Sequence, residues 1–474
     1  MGIFFRLFCT LVLAGPLALL AAKGVGAGEK QIPSSRADIQ KSFAPLVKKV
    51  APSVVNIYAR KIVRRRGGSL LFDDPFFRRF FRDAPGFGLP REQLKNSLGS
   101  GVIVRSDGLI VTNNHVIAGA DQINVVLADR RKFAATIVTT DEKTDLAILK
   151  IQPGNSKLPF LELGNSDDLE VGDLVLAIGN PFGVGQTVTS GIVSALNRTQ
   201  VTKSDLNYFI QTDAAINPGN SGGALVSMDG KLAGVNTAIF SKSGGSLGIG
   251  FAVPANMVRA VVSGMIKNGK LVRPWLGASG QGVSQEIALS LDMARPTGVL
   301  INRVHKGAAA DSAGIRVGDV VLSINGHEVN DPKGLEYRMA TLTVGQTAFL
   351  KVLRANTPIT LNLKLAPPPE VPPRKITALT GRQPLAGATV ANMSPALADE
   401  FGLDGFKKGV IVIELNEGSP AHRLGFLVGD FVRTVNGQKV TTVPQLLSLL
   451  KNRAERWRID VDRDGKSLNL VING

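Results

Sequence analysis

Cysteine is nearly absent from this sequence. The one cysteine among 474 residues is Cys9, which lies in an apolar N-terminal segment and outside a convincing lipoprotein cleavage context. If that segment is removed, the lack of thiols excludes a disulfide scaffold, a cysteine nucleophile and a thiolate metal site. A chain without cysteine suits an oxidising export compartment, because it has no thiol to mispair.

Long hydrophobic runs are equally scarce, and the one candidate is N-terminal. Arg6 supplies a positive start, residues 7–22 are largely apolar, and small residues precede Gly28. This pattern predicts a cleavable signal peptide over residues 1–27, and therefore export. A retained membrane anchor is the alternative, but the run is short for a span of about 20 residues and Pro16 disfavours a stable helix.

Aromatic residues are few, and acidic residues are fewer than basic ones. Aromatic side chains make up 5% of the chain, and its 52 glycines favour tight turns in β-rich or mixed domains. The formal net charge is +17, yet lysine and arginine are scattered, and their one dense run, residues 64–66, lies in a predicted loop. The sequence therefore argues against nucleic-acid binding and allows at most peripheral membrane contact. It contains no phosphate-binding loop and implies no metal or organic cofactor.

Short apolar strands separated by turn residues fill the region from Gly99 to Val262, and a helical stripe follows over residues 256–268. Such spacing predicts an all-β barrel or sandwich. Residues 60–96 break the pattern and predict a long functional loop. The paired phenylalanines of this loop, between residues 76 and 81, either form an exposed apolar patch or cap the domain's own core.

The C-terminal region contains an internal repeat. Residues 314–329 recur as residues 425–440 at a period of roughly 110 residues, which indicates a duplicated domain. Each copy mixes strands, short helices and an Asn-Gly hairpin turn, and a proline-rich, extended linker separates the copies. The predicted boundaries are a β domain over 28–270, the first repeat domain over 271–366, the linker over 367–375 and the second repeat domain over 376–474.

Ser221 lies in a glycine-rich segment, residues 217–223. Acyl transfer needs an exposed serine oxygen beside backbone donors that can hold an oxyanion, and glycines permit the unusual dihedrals of such a loop. The amides of Gly219 and Ser221 are the predicted donors of this oxyanion hole, with Asn220 between them in the turn. Alone, the segment is weak evidence, because glycine-rich turns with serine are common.

A nucleophilic serine needs a base, and the sequence has four histidines. His115 follows a predicted strand in the same domain as Ser221, whereas the other three lie in the repeats. Asp145, at the mouth of an apolar strand, is the candidate carboxylate that orients the imidazole, since its burial would be costly without a partner. The alternatives are a buried or capping histidine for His115 and a strand-start cap for Asp145. The order His, Asp, Ser is that of the chymotrypsin-like arrangement.

Together these segments resemble the HtrA family of serine proteases, especially its periplasmic DegP/DegQ-like members. The resemblance covers nearly the whole chain after residue 27. It implies a mainly β protein, with a chymotrypsin-like double β-barrel protease domain followed by two α+β PDZ domains. The matching segments are residues 113–116, 144–147, 179–183, 219–223 and 249–254.

The activity implied by the resemblance is that of an ATP-independent endoprotease in the periplasm that degrades misfolded or unfolded exported proteins. Ser221 would be the nucleophile, His115 the general base and acid, and Asp145 the orienting carboxylate. Pro218 departs from the family, which commonly has arginine there. Proline removes one amide donor but leaves those of Gly219 and Ser221, so activity is expected to survive. How the loop switches between inactive and active states is put in doubt.

The resemblance also implies residues for substrate specificity and for regulation. Ala215, six residues before the serine, occupies a position that lines the primary pocket in this fold, so no acidic residue selects Lys or Arg. With Ile249, Gly250 and Phe251 as the pocket wall, cleavage after small aliphatic residues is expected. Arg198 resembles the family's sensor arginine, which reports PDZ occupancy; an ordinary solvated arginine is the alternative.

The repeats resemble PDZ domains, which add an extended peptide as a strand and hold its C-terminal carboxylate on loop amides. In the second repeat domain residues 384–388 match the family's carboxylate-binding loop more loosely, so peptide binding there is less certain and a purely architectural role is the alternative. The implied partners are unfolded proteins, C-terminal peptides and further copies of the chain, in trimers or larger cages. The match to the carboxylate-binding loop in the first repeat domain comprises Arg273, Pro274, Trp275, Leu276 and Gly277.

Two further classes of function compete with this one. A chaperone or PDZ scaffold with a silent or conditionally active protease domain is the main alternative, although all three triad residue types are present, and holdase activity could coexist with proteolysis. A membrane-tethered signalling protease is disfavoured by the two PDZ-like copies and by the cleavable character of the N-terminal segment.

Overall fold

The computed structural model describes most of the chain after residue 41. The predicted signal peptide, the basic run at residues 64–66 and the paired phenylalanines between residues 76 and 81 lie outside the described residues. Among the residues that are described, no helix is long and apolar enough to cross a membrane. The described residues are 42–62, 94–180, 185–198, 208–239, 246–268, 271–451 and 454–473.

Two closed six-stranded barrels make up the part of the chain that precedes the first repeat domain. The strands and helices of this region are α1 Ala44–Val50, β1 Val54–Ile62, β2 Leu94–Arg105, β3 Leu109–Asn113, α2 Asn114–Ile117, β4 Gln122–Val126, β5 Lys132–Asp141, β6 Leu146–Lys150, β7 Leu174–Gly179, β8 Thr187–Arg198, β9 Phe209–Thr212, β10 Ala224–Ser227, β11 Leu232–Ile239, β12 Gly250–Pro254 and α3 Ala255–Asn268. The first barrel has the strand order β1-β2-β3-β6-β5-β4, and the second has the order β10-β11-β12-β9-β8-β7.

The barrel cores come from β-branched and leucine-rich strands. Every residue of β3 and β12 is buried, as are the first four residues of β6. Closing each sheet on itself pairs its edges and lets the inward side chains fill the interior. The predicted double-barrel fold is thus confirmed.

The loop predicted over residues 60–96 is shorter at both ends. Arg60, Lys61 and Ile62 continue β1 and pair in register with β2, from Asn96 back to Leu94. Their backbone groups are satisfied by this antiparallel ladder, although the polar side chains give no strand signal in the sequence.

The two repeat domains each contain one antiparallel sheet with helices packed against it. The first has the order β13-β14-β15-β17-β18, and the second β19-β20-β21-β22-β24-β25, with a short strand added to β15 and to β22. The elements are β13 Ala278–Gly282, α4 Gln285–Ser290, β14 Val299–Val304, α5 Ala309–Ser312, β15 Val320–Ile324, β16 His327–Glu328, α6 Pro332–Ala340, β17 Thr347–Arg354, β18 Thr357–Lys364, β19 Thr377–Ala378, β20 Ala388–Asn392, α7 Pro395–Glu400, β21 Val410–Leu415, α8 Pro420–Arg423, β22 Phe431–Val435, β23 Gln438–Lys439, α9 Val443–Lys451, β24 Arg456–Arg463 and β25 Lys466–Asn473.

The Asn-Gly turns predicted from the repeat are present in both copies. Asn325 and Gly326 have φ values of 50° and 84°, and Asn436 and Gly437 have values of 50° and 77°. Two consecutive positive φ values define the type I′ turn, whose twist matches that of the flanking strands.

The described residues from Leu46 onward form one compact unit. Within this unit, the first repeat domain packs against the second barrel. Arg338 of α6 donates to Asp167 at 2.5 Å, and the rings of Tyr208 and Tyr337 stack with centroids 3.8 Å apart. The stacked tyrosines place α6 of the first repeat domain beside the start of β9.

Candidate active site

His115 and Asp145 are brought together by the pairing of two strands in the first barrel. Asn113, the last residue of β3, lies opposite Leu146, the first residue of β6, so the residues next to this pair converge at one end of the barrel. The His115 Nδ1 atom lies 2.6 Å from Asp145 Oδ2, and the His115 amide donates to Asp145 Oδ1 at 3.0 Å. The carboxylate therefore fixes both the ring and the backbone of the histidine.

Asp145 has an unusual backbone conformation that its neighbours hold in place. Its φ is 55°, in the left-handed region that non-glycine residues seldom occupy. Its carbonyl accepts hydrogen bonds from Asn114 N at 3.0 Å and Asn113 Nδ2 at 2.9 Å. Burial alone would raise the pKa of the Asp145 carboxyl, but the charge of His115 and the hydrogen bonds from His115 and Thr237 outweigh it and hold the pKa below its usual value.

Thr237, on β11 of the second barrel, is a site residue that the sequence did not single out. Its hydroxyl donates to Asp145 Oδ2 at 2.8 Å, and its carbonyl accepts from Ser221 Oγ at 3.2 Å. It links the carboxylate of one barrel to the serine of the other. The only hint in the sequence is a polar side chain within an apolar strand, which does not identify its partner.

The loop around Ser221 is a tight turn. The Asn220 amide donates to the Asn217 carbonyl at 2.9 Å, and the Gly223 amide donates to the Asn220 carbonyl at 2.8 Å. The Asn220 amide is therefore used inside the turn. Within the described part of the chain, no hydrogen bond is formed by the amides of Gly219 and Ser221, so both are available to an incoming oxygen.

Ser100 of β2 holds this loop against the first barrel, and the sequence motifs did not single it out. Its amide donates to the Ser221 carbonyl at 2.9 Å and its hydroxyl donates to the Gly219 carbonyl at 2.7 Å. Gly222 sits so close to this strand that a Cβ would lie 2.1 Å from the Ser100 carbonyl oxygen, and its φ is +82°. Only glycine fits there.

The residues predicted to line the specificity pocket lie on neighbouring segments of the second barrel. The Ala215 carbonyl accepts from Thr189 Oγ1 at 2.8 Å. Ile249 precedes β12, and Gly250 and Phe251 are its buried first residues. A Cβ at position 250 would lie 2.7 Å from the Cδ1 atom of Ile216, so a side chain there would require Ile216 to move.

Arg198 ends β8, and its Nε donates to Gln211 Oε1 at 3.1 Å.

The residues of the predicted carboxylate-binding loop of the first repeat domain contact different parts of the protein. Arg273 donates to both carboxylate oxygens of Asp141 in the first barrel, so its side chain is paired with that carboxylate. Trp275 packs edge-on against His305, with ring centroids 5.4 Å apart, and Gly277 has a φ of 72°. Pro274 and Leu276 are buried.

Family models match three parts of the chain. A trypsin-like peptidase domain matches residues 99–235, and PDZ domains match residues 245–365 and 411–463.

Relatives match over most of the chain. The periplasmic serine endoprotease DegP of Escherichia coli is 36% identical over 450 residues, which cover 91% of this chain and 92% of DegP. A probable periplasmic serine endoprotease, DegP-like, of Chlamydia muridarum is 41% identical over 404 residues, or 85% of this chain and 79% of that protein. The solved structure of the HtrA-type protease AlgW with a decapeptide is 46% identical, covers 69% of this chain and 99% of its own, and has a TM-score of 0.51.

Proposed function

The chain belongs to the DegP-like family of HtrA serine endoproteases with PDZ domains, and we propose that it hydrolyses peptide bonds with Ser221, His115 and Asp145. The family makes it a serine endopeptidase, and the observation that supports these residue roles is the continuous set of hydrogen bonds around Asp145. Thr237 and His115 both bind its Oδ2 atom, at 2.8 and 2.6 Å.

In the proposed reaction, His115 takes the proton of Ser221 Oγ as that oxygen attacks the substrate carbonyl carbon. The imidazolium formed is stabilised by Asp145, whose low pKa keeps it a carboxylate at neutral pH. His115 then gives the proton to the leaving amine, and water repeats the sequence to release the acyl group. In the structure the Ser221 hydroxyl donates to the Thr237 carbonyl at 3.2 Å, so it must rotate toward the imidazole before attack.

The proposed oxyanion hole consists of the amides of Gly219 and Ser221. Neither donates to another described residue, while the Asn220 amide between them is held in the turn. Preorganised amides of this kind stabilise the charge that develops on the carbonyl oxygen and cost little reorganisation during the reaction. Pro218 leaves both donors in place.

We propose a preference for cleavage after small aliphatic residues. Ala215 supplies no charge, and Gly250 abuts Ile216, which is buried. An apolar pocket lined by these residues would favour Val or Ala over a long basic side chain.

The proposed substrates are unfolded exported proteins, delivered by the first repeat domain in an ATP-independent reaction in the periplasm. Relatives are named periplasmic endoproteases, and AlgW was solved with bound peptides. Assembly into trimers or larger cages is part of this proposal. Holdase activity is the competing function, and Ser221→Ala protein that still suppresses the aggregation of an unfolded client would show that both coexist.

A fluorophosphonate probe tests the proposed nucleophile directly, because it phosphonylates only an activated serine. We expect one label per chain, located by peptide mass spectrometry on Ser221, and none in Ser221→Ala or in His115→Ala. Labelling of another serine, or equal labelling of Ser221 without His115, would contradict the assignment.

A further inference from the structure

The two repeat domains differ at the sheet edge where PDZ domains receive a peptide. In the first, β13 follows the predicted carboxylate-binding loop, and no strand in the described part of the chain pairs with its outer edge. In the second, the corresponding strand β20 has β19 at its outer edge. A ligand strand would occupy that same position.

The direction of this added segment is that of a peptide ligand. Residues 374–379, the docked segment, run antiparallel to β20, and Ala378 lies opposite Thr389. At the far end of the strand, the Asn392 amide donates to the Arg374 carbonyl at 2.7 Å. Since a ligand ends with its carboxylate at the loop before the strand, Leu379 takes the place of the C-terminal residue.

The loop before β20 binds the Leu379 carbonyl with a backbone amide, as a PDZ loop binds the carboxylate of a peptide. The Gly387 amide donates to the Leu379 carbonyl at 2.8 Å, and the Leu379 amide donates to the Ala388 carbonyl at 2.8 Å. Gly387 matches Gly277 of the first repeat domain. Both glycine carbonyls accept one backbone amide, from His305 at 2.7 Å and from Asn416 at 2.8 Å, so the two loops share one structure.

The side chain of Leu379 is buried as the C-terminal side chain of a PDZ ligand would be. It is 3% exposed and belongs to the buried cluster that contains Leu446 and Leu450 of α9, the helix that faces β20. Four of the five β20 residues are buried, whereas none of the five β13 residues is. The groove between strand and helix is therefore filled in the second repeat domain.

The start of the docked segment is anchored separately. The Arg374 guanidinium donates to both carboxylate oxygens of Glu400, at 2.6 and 2.7 Å, and to Glu370 at 2.6 Å. The Asn392 side chain donates to the Pro373 carbonyl at 2.9 Å. These contacts hold the end of the proline-rich linker on the second repeat domain.

We propose that residues 374–379 are a built-in ligand of the second repeat domain, which occupies its peptide groove and must leave before that domain can bind another peptide. External C-termini are then received by the first repeat domain alone. This division depends on binding and not on the catalytic roles proposed above.

The test counts peptide sites by isothermal titration calorimetry on the full mature chain carrying Ser221→Ala, which leaves the probe uncut. The probe is a decapeptide with the sequence of residues 370–379 and a free C-terminal carboxylate. Leu379→Ala, which empties the groove, should bind one equivalent more than its parent. Ile376→Ala, whose side chain in the same segment is 59% exposed, is the matched control and should bind as the parent does.

A disulfide identifies the site. Ala378→Cys and Thr389→Cys place two thiols on facing residues, and the Leu379–Ala388 hydrogen bond makes this a non-hydrogen-bonded pair, whose side chains are close. Residues 28–474 contain no other cysteine. Added to Leu379→Ala, the closed disulfide should abolish the extra equivalent, and reduction should restore it.

If Leu379→Ala fails to fold, Thr377→Pro replaces it, since proline removes an amide from the pairing without emptying the core. The proposal is overturned if a folded variant gains no site, if the extra equivalent persists with the disulfide closed, or if the parent already binds the probe at both domains.

Discussion

Asp145 is held by hydrogen bonds from both barrels, and this makes its position sensitive to single atoms. His115 binds it from the first barrel and Thr237 from the second, and its own φ of 55° is maintained by Asn113 and Asn114. A change in any of these groups alters the carboxylate that, in the proposed reaction, stabilises the imidazolium.

Thr237→Val removes one hydrogen bond to this carboxylate at nearly constant volume. A hydrogen bond to a charged group is worth about 1.5–3 kcal/mol, so kcat should fall at least about tenfold, with KM little changed. Steady-state kinetics on a peptide substrate measures both constants. Thr237→Ser keeps the hydroxyl and should recover most of kcat; failure of the serine to do so would assign Thr237 a packing role instead.

Sequence motifs could single out the residues of the proposed triad but not the residues that position them. His115, Asp145 and Ser221 each stand in a short recognisable segment. Thr237 and Ser100 act through partners that lie 92 and 121 positions away along the chain, which become neighbours only when the barrels close and dock. Nothing in their local sequence specifies those partners.

At the scale of elements, each repeat domain contains the same buried ion pair. Asp319 is paired with Arg354 at 2.7 Å, and Asp430 with Arg463 at 2.7 Å, and both carboxylates are almost wholly buried. Each arginine also donates to the glycine carbonyl that opens the repeated Gly-x-x-x-Gly-Asp segment, Gly314 in the first copy. The repeated segment is thus held by an arginine at the end of β17 in the first copy and at the end of β24 in the second.

Asp319→Asn should destabilise the first repeat domain by about 2–3 kcal/mol at neutral pH, because it leaves Arg354 without its carboxylate. Burial would raise the pKa of Asp319, but hydrogen bonds from Arg354 and the Arg316 amide hold it below its usual value. The stabilisation is therefore complete above the ordinary aspartate pKa of about 4 and is lost as the pH falls through the lower folded value. In Asp319→Asn this acid-dependent loss should be absent.

Tryptophan fluorescence can follow this prediction, since the chain has two tryptophans, Trp275 and Trp457, one in each repeat domain. In a Trp457→Phe background the remaining probe is Trp275, which lies in the first repeat domain and also contacts Phe406 of the second, with ring centroids 6.1 Å apart. Glu328→Gln is the control, because its ion pair with Arg295 is exposed and should contribute little. Equal effects of the two substitutions would contradict the account of the buried pair.

At the scale of the whole molecule, the first repeat domain is fastened to the barrels through α6 and the loop before β13. Arg338 and Asp167 form an ion pair with side-chain exposures of 12% and 16%, and burial in this contact raises the pKa of Tyr208 to about 12. Arg273 binds Asp141 of the first barrel. The local sequence could predict both domains, but not a contact between side chains 171 positions apart.

Arg338→Ala should release the first repeat domain from the second barrel. We expect faster amide hydrogen exchange in α6 and a separate, lower thermal transition for Trp275, because the domain loses the stabilisation that docking provides. Glu336→Ala, on the same helix but 51% exposed, is the matched control. A single unchanged transition in Arg338→Ala would show that the ion pair does not couple the domains.

The most direct test of the central claim is the digestion of an unfolded protein, reduced casein, by residues 28–474 and by the same chain with Ser221→Ala. The account predicts that the parent yields fragments ending in small aliphatic residues, identified by mass spectrometry, and that Ser221→Ala yields none. Fragments from Ser221→Ala, or no cleavage by the parent even with an added hydrophobic C-terminal peptide, would contradict it.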